Sequence, residues 1–252
     1  MGYLQYSNMK KLSAIVLAGF VLASPLAAAA PADAPAEKLT YAWRLKGGLS
    51  WLARLAFPSS GRGTLETNAA GNVHSRLTIS ADDSKGYYLY ESMMAPTGTQ
   101  TLTSRSAYAY GDSRRDERVA FDVPNGVAHV QKTTNEGSES KTHKLESATP
   151  QDVLTSIYYL RQHADEIRSP KQAKLFSGAK GYDILFQPQP TTMMRVGGAN
   201  LRVRPFTLEP VGNDAKRFPG EVHVWLSDDA RHLPVRIDIE QKYATLKLDL
   251  QQ

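Results

Sequence analysis

From residue 39 to the C-terminus, apolar side chains recur at every second position in short runs separated by turn residues, and this pattern most narrows what the chain can fold into. It is plainest at Leu39, Tyr41, Trp43 and Leu45, at Val222, Val224 and Leu226, at Val235, Ile237 and Ile239, and at Leu246, Leu248 and Leu250. A strand points successive side chains to opposite faces, so each run makes a strand with one buried face. Asn68-Ala69-Ala70-Gly71-Asn72, Pro124-Asn125-Gly126, Asn135-Glu136-Gly137, Gly197-Gly198 and Ser227-Asp228-Asp229 supply the turns between runs. Further strands are expected over 63–67, 73–79, 87–92, 99–110, 119–123, 127–133, 141–145, 182–186, 192–196 and 201–208, with 99–110 facing solvent. The apolar positions are odd in 235–239 and even in 246–250, which requires a turn or a bulge near 241–244. Residues 49–57 fit neither a strand nor a helix period and are left open.

One segment breaks the pattern. Val153, Ile157, Leu160, Ala164 and Ile167 recur at helical spacing, and Leu154 and Tyr158 widen the stripe. Thr149 reads as its N-cap, Pro150 as its first helical residue and Asp152 as an acid in its first turn, while Pro170 stops it. This gives one amphipathic helix over about 149–168. Many strands and one helix, without the alternation of a parallel sheet, predict a mainly β fold. The expected form is a strongly twisted antiparallel sheet or half-barrel closed by the helix.

The N-terminus reads as a secretory signal from Met9 onward. Lys10 and Lys11 precede an apolar run from Leu12 to Leu22, then Pro25 and the small residues Ala27 to Ala30. Cleavage is expected after Ala29. Residues 1–8 add nothing a signal needs, so Met9 is the effective start. The run is shorter than the ~20 residues of a membrane span, and no later segment could cross a bilayer. The expected organisation is a signal peptide over 1–29, a disordered tether over 30–38 and a single antiparallel β domain over 39–252. The expected location is the periplasm. The absence of cysteine excludes a lipid anchor, disulfides, thiolate metal ligands and a cysteine nucleophile. The two lysines lost with the signal lower the formal charge from +5 to +3. Arg114-Arg115 and Lys141 sit among acids, so nucleic acid is excluded as a partner.

No arrangement of residues points to a reaction. The six histidines are scattered without metal-motif spacing, and His223 and His232 are the nearest to a pair. Ser227-Asp228-Asp229 reads as a hairpin turn, and there is no nucleophile elbow. No cofactor and no metal is expected. Aromatic residues and methionines are the more suggestive group. A cavity between sheet and helix, lined by Trp43, Tyr88, Tyr90, Met93, Phe121, Ile157, Tyr158 and Met193, would suit an apolar, lipid-like ligand. Plain core packing is the competing reading of the same residues.

Two stretches carry a family likeness. Residues 152–161 (DVLTSIYYLR) and 224–235 (VWLSDDARHLPV), with Val119-Ala120-Phe121-Asp122 upstream, resemble the proteobacterial family called domain of unknown function 3108. The resemblance implies a signal-bearing periplasmic protein with a fold similar to the half-barrel of LolA- and LolB-type lipoprotein carriers. It brings no catalytic residues. LolB-like carriers are anchored through a cysteine, which this chain lacks. The expectation is a non-enzymatic periplasmic protein that binds an apolar or amphiphilic ligand. The alternatives are an envelope assembly module that holds a protein partner and, behind it, a hydrolase or metal-dependent enzyme.

Overall fold

The structure, a computed structural model, describes residues 37–46, 60–82, 86–216, 221–240 and 244–251. The expected signal segment, residues 30–36 of the expected tether and the undecided stretch 49–57 lie outside them. Among the described residues one antiparallel sheet holds fifteen strands. A meander comprises β1 (Glu37–Lys46), β2 (Ser60–Asn68), β3 (Val73–Ala81), β4 (Gly86–Met94), β5 (Thr101–Tyr110), β6 (Ser113–Asp122), β7 (Val127–Thr134) and β8 (Gly137–Lys144). The helix α1 (Val153–His163) follows. Then come β9 (Lys171–Ser177), β10 (Lys180–Pro188), β11 (Thr192–Val196), β12 (Ala199–Pro210), β13 (Val222–Ser227), β14 (Pro234–Glu240) and β15 (Thr245–Leu250). β15 pairs with β1, Tyr41 opposite Leu250, so the first and last strands join the two halves. β8 and β9 lie at opposite ends of the strand order, and the sheet is not closed into a barrel.

Alternation explains the core. Tyr41, Trp43, Leu65, Leu77, Ile79, Val224, Ile237 and Leu248 all turn to one side and are buried there. The change of parity between Ile239 and Leu246 falls where β14 and β15 pair as antiparallel neighbours. Those two residues face each other, Glu240 faces Thr245, and an even number of residues connects them. β1 begins at Glu37, two residues before the expected start: Glu37 pairs opposite Thr67 of β2 and its side chain meets Arg161 of the helix.

The helix packs on the same side of the sheet, with Leu154, Ile157 and Leu160 buried along the expected stripe. Ala164 and Ile167 are buried just past its end. Two details differ from expectation. The N-cap is Asp152, whose carboxylate accepts from the Thr155 N–H, and not Thr149. The backbone ahead of it is already committed. The Pro150 carbonyl accepts from Thr101 N–H (2.7 Å), and the Gln151 carbonyl accepts from Phe176 N–H (2.7 Å). The helix also ends at His163, five residues short of the expected boundary. Tyr159, and not Tyr158, takes the core position, stacked 5.8 Å from Phe186.

The far end of α1 is fastened by side chains. Arg161 forks onto Glu37 (2.6 and 2.9 Å) and donates to the His232 carbonyl (3.2 Å). Arg204 donates to the Ala164 carbonyl and to Asp228, both at 2.6 Å. The turn after β13 holds itself as the sequence implied. Ser227 Oγ donates to Asp229 (2.9 Å) and accepts from Leu233 N–H (2.8 Å).

Candidate functional site

The eight cavity candidates do not share one cavity. Trp43 and Ile157 belong to the packed core, and Trp43 Nε1 donates to the Ser80 carbonyl (2.8 Å). Phe121 meets Phe176 edge to face at 5.3 Å in a second, smaller cluster with Val119, Ala128 and Leu145. Tyr158 lies against the β4–β5 connection, so close to Gly98 that a Cβ there would fall 2.3 Å from its ring. Met93 is 41% exposed and Met193 62%, on β4 and β11 respectively. Met93 points to the face opposite its neighbours Ser92 and Met94, which are buried. Only Tyr88 and Tyr90 line the space between sheet and helix. Beneath the helix itself the interior is filled by Tyr41, Leu160, Phe186, Phe206 and Leu208, each under 2% exposed.

The open space lies beside the helix, at its N-terminal end. A cleft of about 280 Å³ runs between β4–β6, α1 and β9. Tyr88, Tyr90 and Tyr108 form one wall, Val153, Leu154 and Phe176 the other, and Ser92 and Asp152 also line it. The Tyr88 and Tyr108 rings are 6.0 Å apart and tilted by 34°. Burial, with the phenols of Tyr90, Tyr108 and Tyr110 nearby, lifts the Tyr88 hydroxyl above the ordinary tyrosine pKa. Residues Arg115, Glu117, Ser177 and Gly178 line both this cleft and a neighbouring groove of about 780 Å³. That groove is charged. Lys132 and Lys141 bond Glu139, and Lys174 bonds Glu146 and Asp183. Among the described residues, Lys144 and Lys180, which also line it, have no carboxylate partner.

Polar groups that the sequence did not flag meet where α1 begins. Asp152 is buried, and burial holds its carboxyl above the usual carboxylate pKa. Ser92 donates to one oxygen of Asp152, and Thr155 N–H to the other (2.8 Å). Thr101 Oγ1 accepts from Asp152 N–H (3.0 Å) and pairs with Thr155 Oγ1 (2.7 Å). Gln151 Oε1 and Ser156 Oγ are buried without a hydrogen-bond partner among the described residues. This network fixes the depth at which the helix enters the sheet. The signal for it was spacing: Asp152 and Thr155 stand three apart at a helix start, the capping geometry.

The histidine pair named from the sequence is not one. His223 is the second residue of β13, whereas His232 lies in the connection between β13 and β14. His232 Nδ1 lies 2.9 Å from the Arg161 carbonyl, and its Nε2 3.5 Å from Asp165. No described helix is long and apolar enough to cross a membrane.

Among curated proteins no match to the chain is found. The chain is similar in structure to a beta-barrel-like protein of domain of unknown function DUF1849 from Brucella abortus. The TM-score is 0.57 with 10% sequence identity, over 85% of this chain and 95% of that one. At that identity the likeness is one of fold, the barrel-like sheet that the carrier resemblance implied. In sequence the chain matches the family described as "Protein of unknown function (DUF3108)" over residues 50–251, and it belongs to that family.

Proposed function

We propose that this chain is a non-enzymatic periplasmic protein that binds an amphiphile in the seam where the ends of its sheet face each other. The observation that carries the reading is the cleft beside the α1 N-terminus, walled by Tyr88, Tyr90 and Tyr108 and continuous with lysine-bearing groove walls. A phenol ring offers an apolar body and a polar edge, which suits a chain or ring that ends in a polar head. The cleft is at the small end of ligand sites, which run from about 300 to 1,000 Å³. The apolar part it takes is therefore short, with the head lying in the groove. The signal expected over residues 1–29 supports this location, where such molecules are handled.

Native mass spectrometry of the protein purified from an envelope fraction tests this. The expected result is a bound amphiphile whose occupancy falls at least tenfold in Tyr88→Ala/Tyr90→Ala, with the circular dichroism spectrum kept. A chain that carries no adduct, and gains none from added lysophospholipid, would end the reading. N-terminal sequencing of the same preparation checks the location, with Ala30 as the expected first residue.

A second reading, an envelope module that holds a protein partner, is favoured by β8. All eight of its residues are exposed, and it is an edge of the sheet. An open edge accepts an added strand. Photo-crosslinking from Thr142 that captures one envelope protein, in material free of amphiphile, would favour it.

A further inference from the structure

On the outer face of the sheet, β13, β14 and the residue just before β13 carry a group of donors that the amphiphile reading leaves unused. Glu240 N–H donates to the Glu221 carbonyl (2.8 Å), so the two stand side by side. His223 lies two positions beyond Glu221 and directly across from Asp238. Residues two apart on a strand share a face, so Glu221, His223, Asp238 and Glu240 all project the same way. We propose that Glu221, His223 and Glu240 bind one divalent transition-metal ion of the zinc class, which clips β14 to the start of β13 and keeps a fourth position for water.

The distances fit a shared ion better than they fit hydrogen bonds. One donor atom from each of the three lies within 4.8 Å of the others. His223 Nε2 is 3.5 Å from Glu221 Oε2 and 3.6 Å from Glu240 Oε1. Hydrogen bonds of this type fall at about 2.7–3.2 Å. Donors around a tetrahedral ion at ~2.1 Å stand roughly 3.4 Å apart.

The imidazole is also anchored from behind. Its Nδ1 lies 3.1 Å from Thr207 Oγ1 on the adjoining strand β12. With Nδ1–H donating there, Nε2 keeps its lone pair for a metal, the arrangement that fixes metal-binding histidines. The Trp225 ring, 5.9 Å from the imidazole on the same face, narrows its freedom further.

Charge points to a divalent ion. Lys247 donates to Asp238 and offsets it. Among the described residues neither Glu221 nor Glu240 has a lysine or arginine partner, and both carboxylates face the one imidazole. Among the described residues Asp238 Oδ1 is buried without a hydrogen-bond partner, a further acceptor across from the imidazole. An imidazole with two carboxylates suits zinc and its neighbours, whereas calcium and magnesium take six or more oxygens.

Calorimetric titration of Zn²⁺ into the metal-free protein tests the site. The expected result is one ion per chain, with affinity weakened about 100-fold by His223→Ala and about tenfold by Thr207→Val. Glu240→Gln should weaken it as well, while His74→Ala and His129→Ala leave it unchanged and Mg²⁺ gives no heat. Circular dichroism confirms that each variant is folded. An absence of Zn²⁺ binding overturns the proposal. So does binding that survives both His223→Ala and Glu240→Gln, since it would belong to other histidines.

Discussion

Replacing Asp152 by alanine and by asparagine separates the two effects of burying it. The alanine variant removes the acceptor of two buried donors, the Thr155 N–H and the Ser92 hydroxyl. A buried donor left unpaired costs about 1–3 kcal/mol. Allowing for relaxation, the loss is about 3 kcal/mol. In a domain of this size each kcal/mol moves the melting temperature by about 2–4 °C, so the expected drop is about 6–12 °C. Asparagine keeps the acceptor for Thr155 and can donate to Ser92, yet it carries no charge to desolvate. It should lie within about 1 kcal/mol of the wild type at pH 7.5. The pH dependence gives the sharper test. Burial lifts the folded-state pKa of Asp152 above the unfolded value of about 3.9. The folded chain therefore binds that proton more tightly. Relative to the asparagine variant, the wild type should gain stability as pH falls from the folded pKa toward about 4, and no more below that. The gain is about 1.4 kcal/mol for each tenfold rise in proton affinity. Urea unfolding of both proteins from pH 7.5 to 4, followed by circular dichroism, measures the difference, and acid effects common to both cancel. If the wild type instead loses ground on acidification, the hydrogen bonds to the carboxylate outweigh its burial and the reasoning fails.

Three further outcomes follow from the packing. Leu160 is fully buried against the sheet, so Leu160→Ala should cost about 3–4 kcal/mol of stability in urea unfolding. A double-mutant cycle of Arg161→Ala and Glu37→Gln should show coupling of about 1–2 kcal/mol, because Arg161 is only 10% exposed whereas Glu37, at 32%, stays partly hydrated. Gly61→Ala would put a Cβ 2.0 Å from the Ser80 carbonyl and 2.7 Å from Trp43 Nε1. It should destabilise by about 3 kcal/mol and shift the tryptophan emission, because backbone and indole must both give way.

The parts of this fold that were legible in the sequence are those where one face decides everything. In β1, β13, β14 and β15 the apolar parity gave strand, facing and the position of the last hairpin. The helix stripe was legible for the same reason. β9 was missed because it answers to two cores at once. Leu175 lies in the main core, while its neighbour Phe176 points the other way onto Phe121, so no alternation survives. The helix start was misplaced because local cap chemistry favours Thr149-Pro150, whereas the backbone of residues 150 and 151 is taken by β5 and β9. Propensity yielded there to tertiary hydrogen bonds. For the cleft, Tyr88 and Tyr90 were found and Met93 was not excluded, although its odd position on β4 already sets it on the opposite face. Tyr108 enters the cleft through its pairing opposite Tyr88 across the β4–β5 hairpin, and Ser92 meets Asp152 across sixty residues of sequence, neither of which a pattern within one segment reports.

The same logic explains why the sheet stays open where the cleft forms. To close against β9, β8 would need inward apolar residues and a flat, pairing edge. Its sequence, Gly137-Ser138-Glu139-Ser140-Lys141-Thr142-His143-Lys144, has no apolar side chain, and every residue is exposed. With only polar and charged residues on it, this edge has no apolar side chain to bury against β9. Contact between the two ends is left to Phe121, Val119, Leu145 and Phe176, one layer further in, where burial does the holding without a ladder of backbone hydrogen bonds. The ends of the sheet thus touch through side chains and stay apart through backbone. The gap between them, with tyrosines at its inner end and lysines along its rim, follows directly from a strand that has nothing to bury.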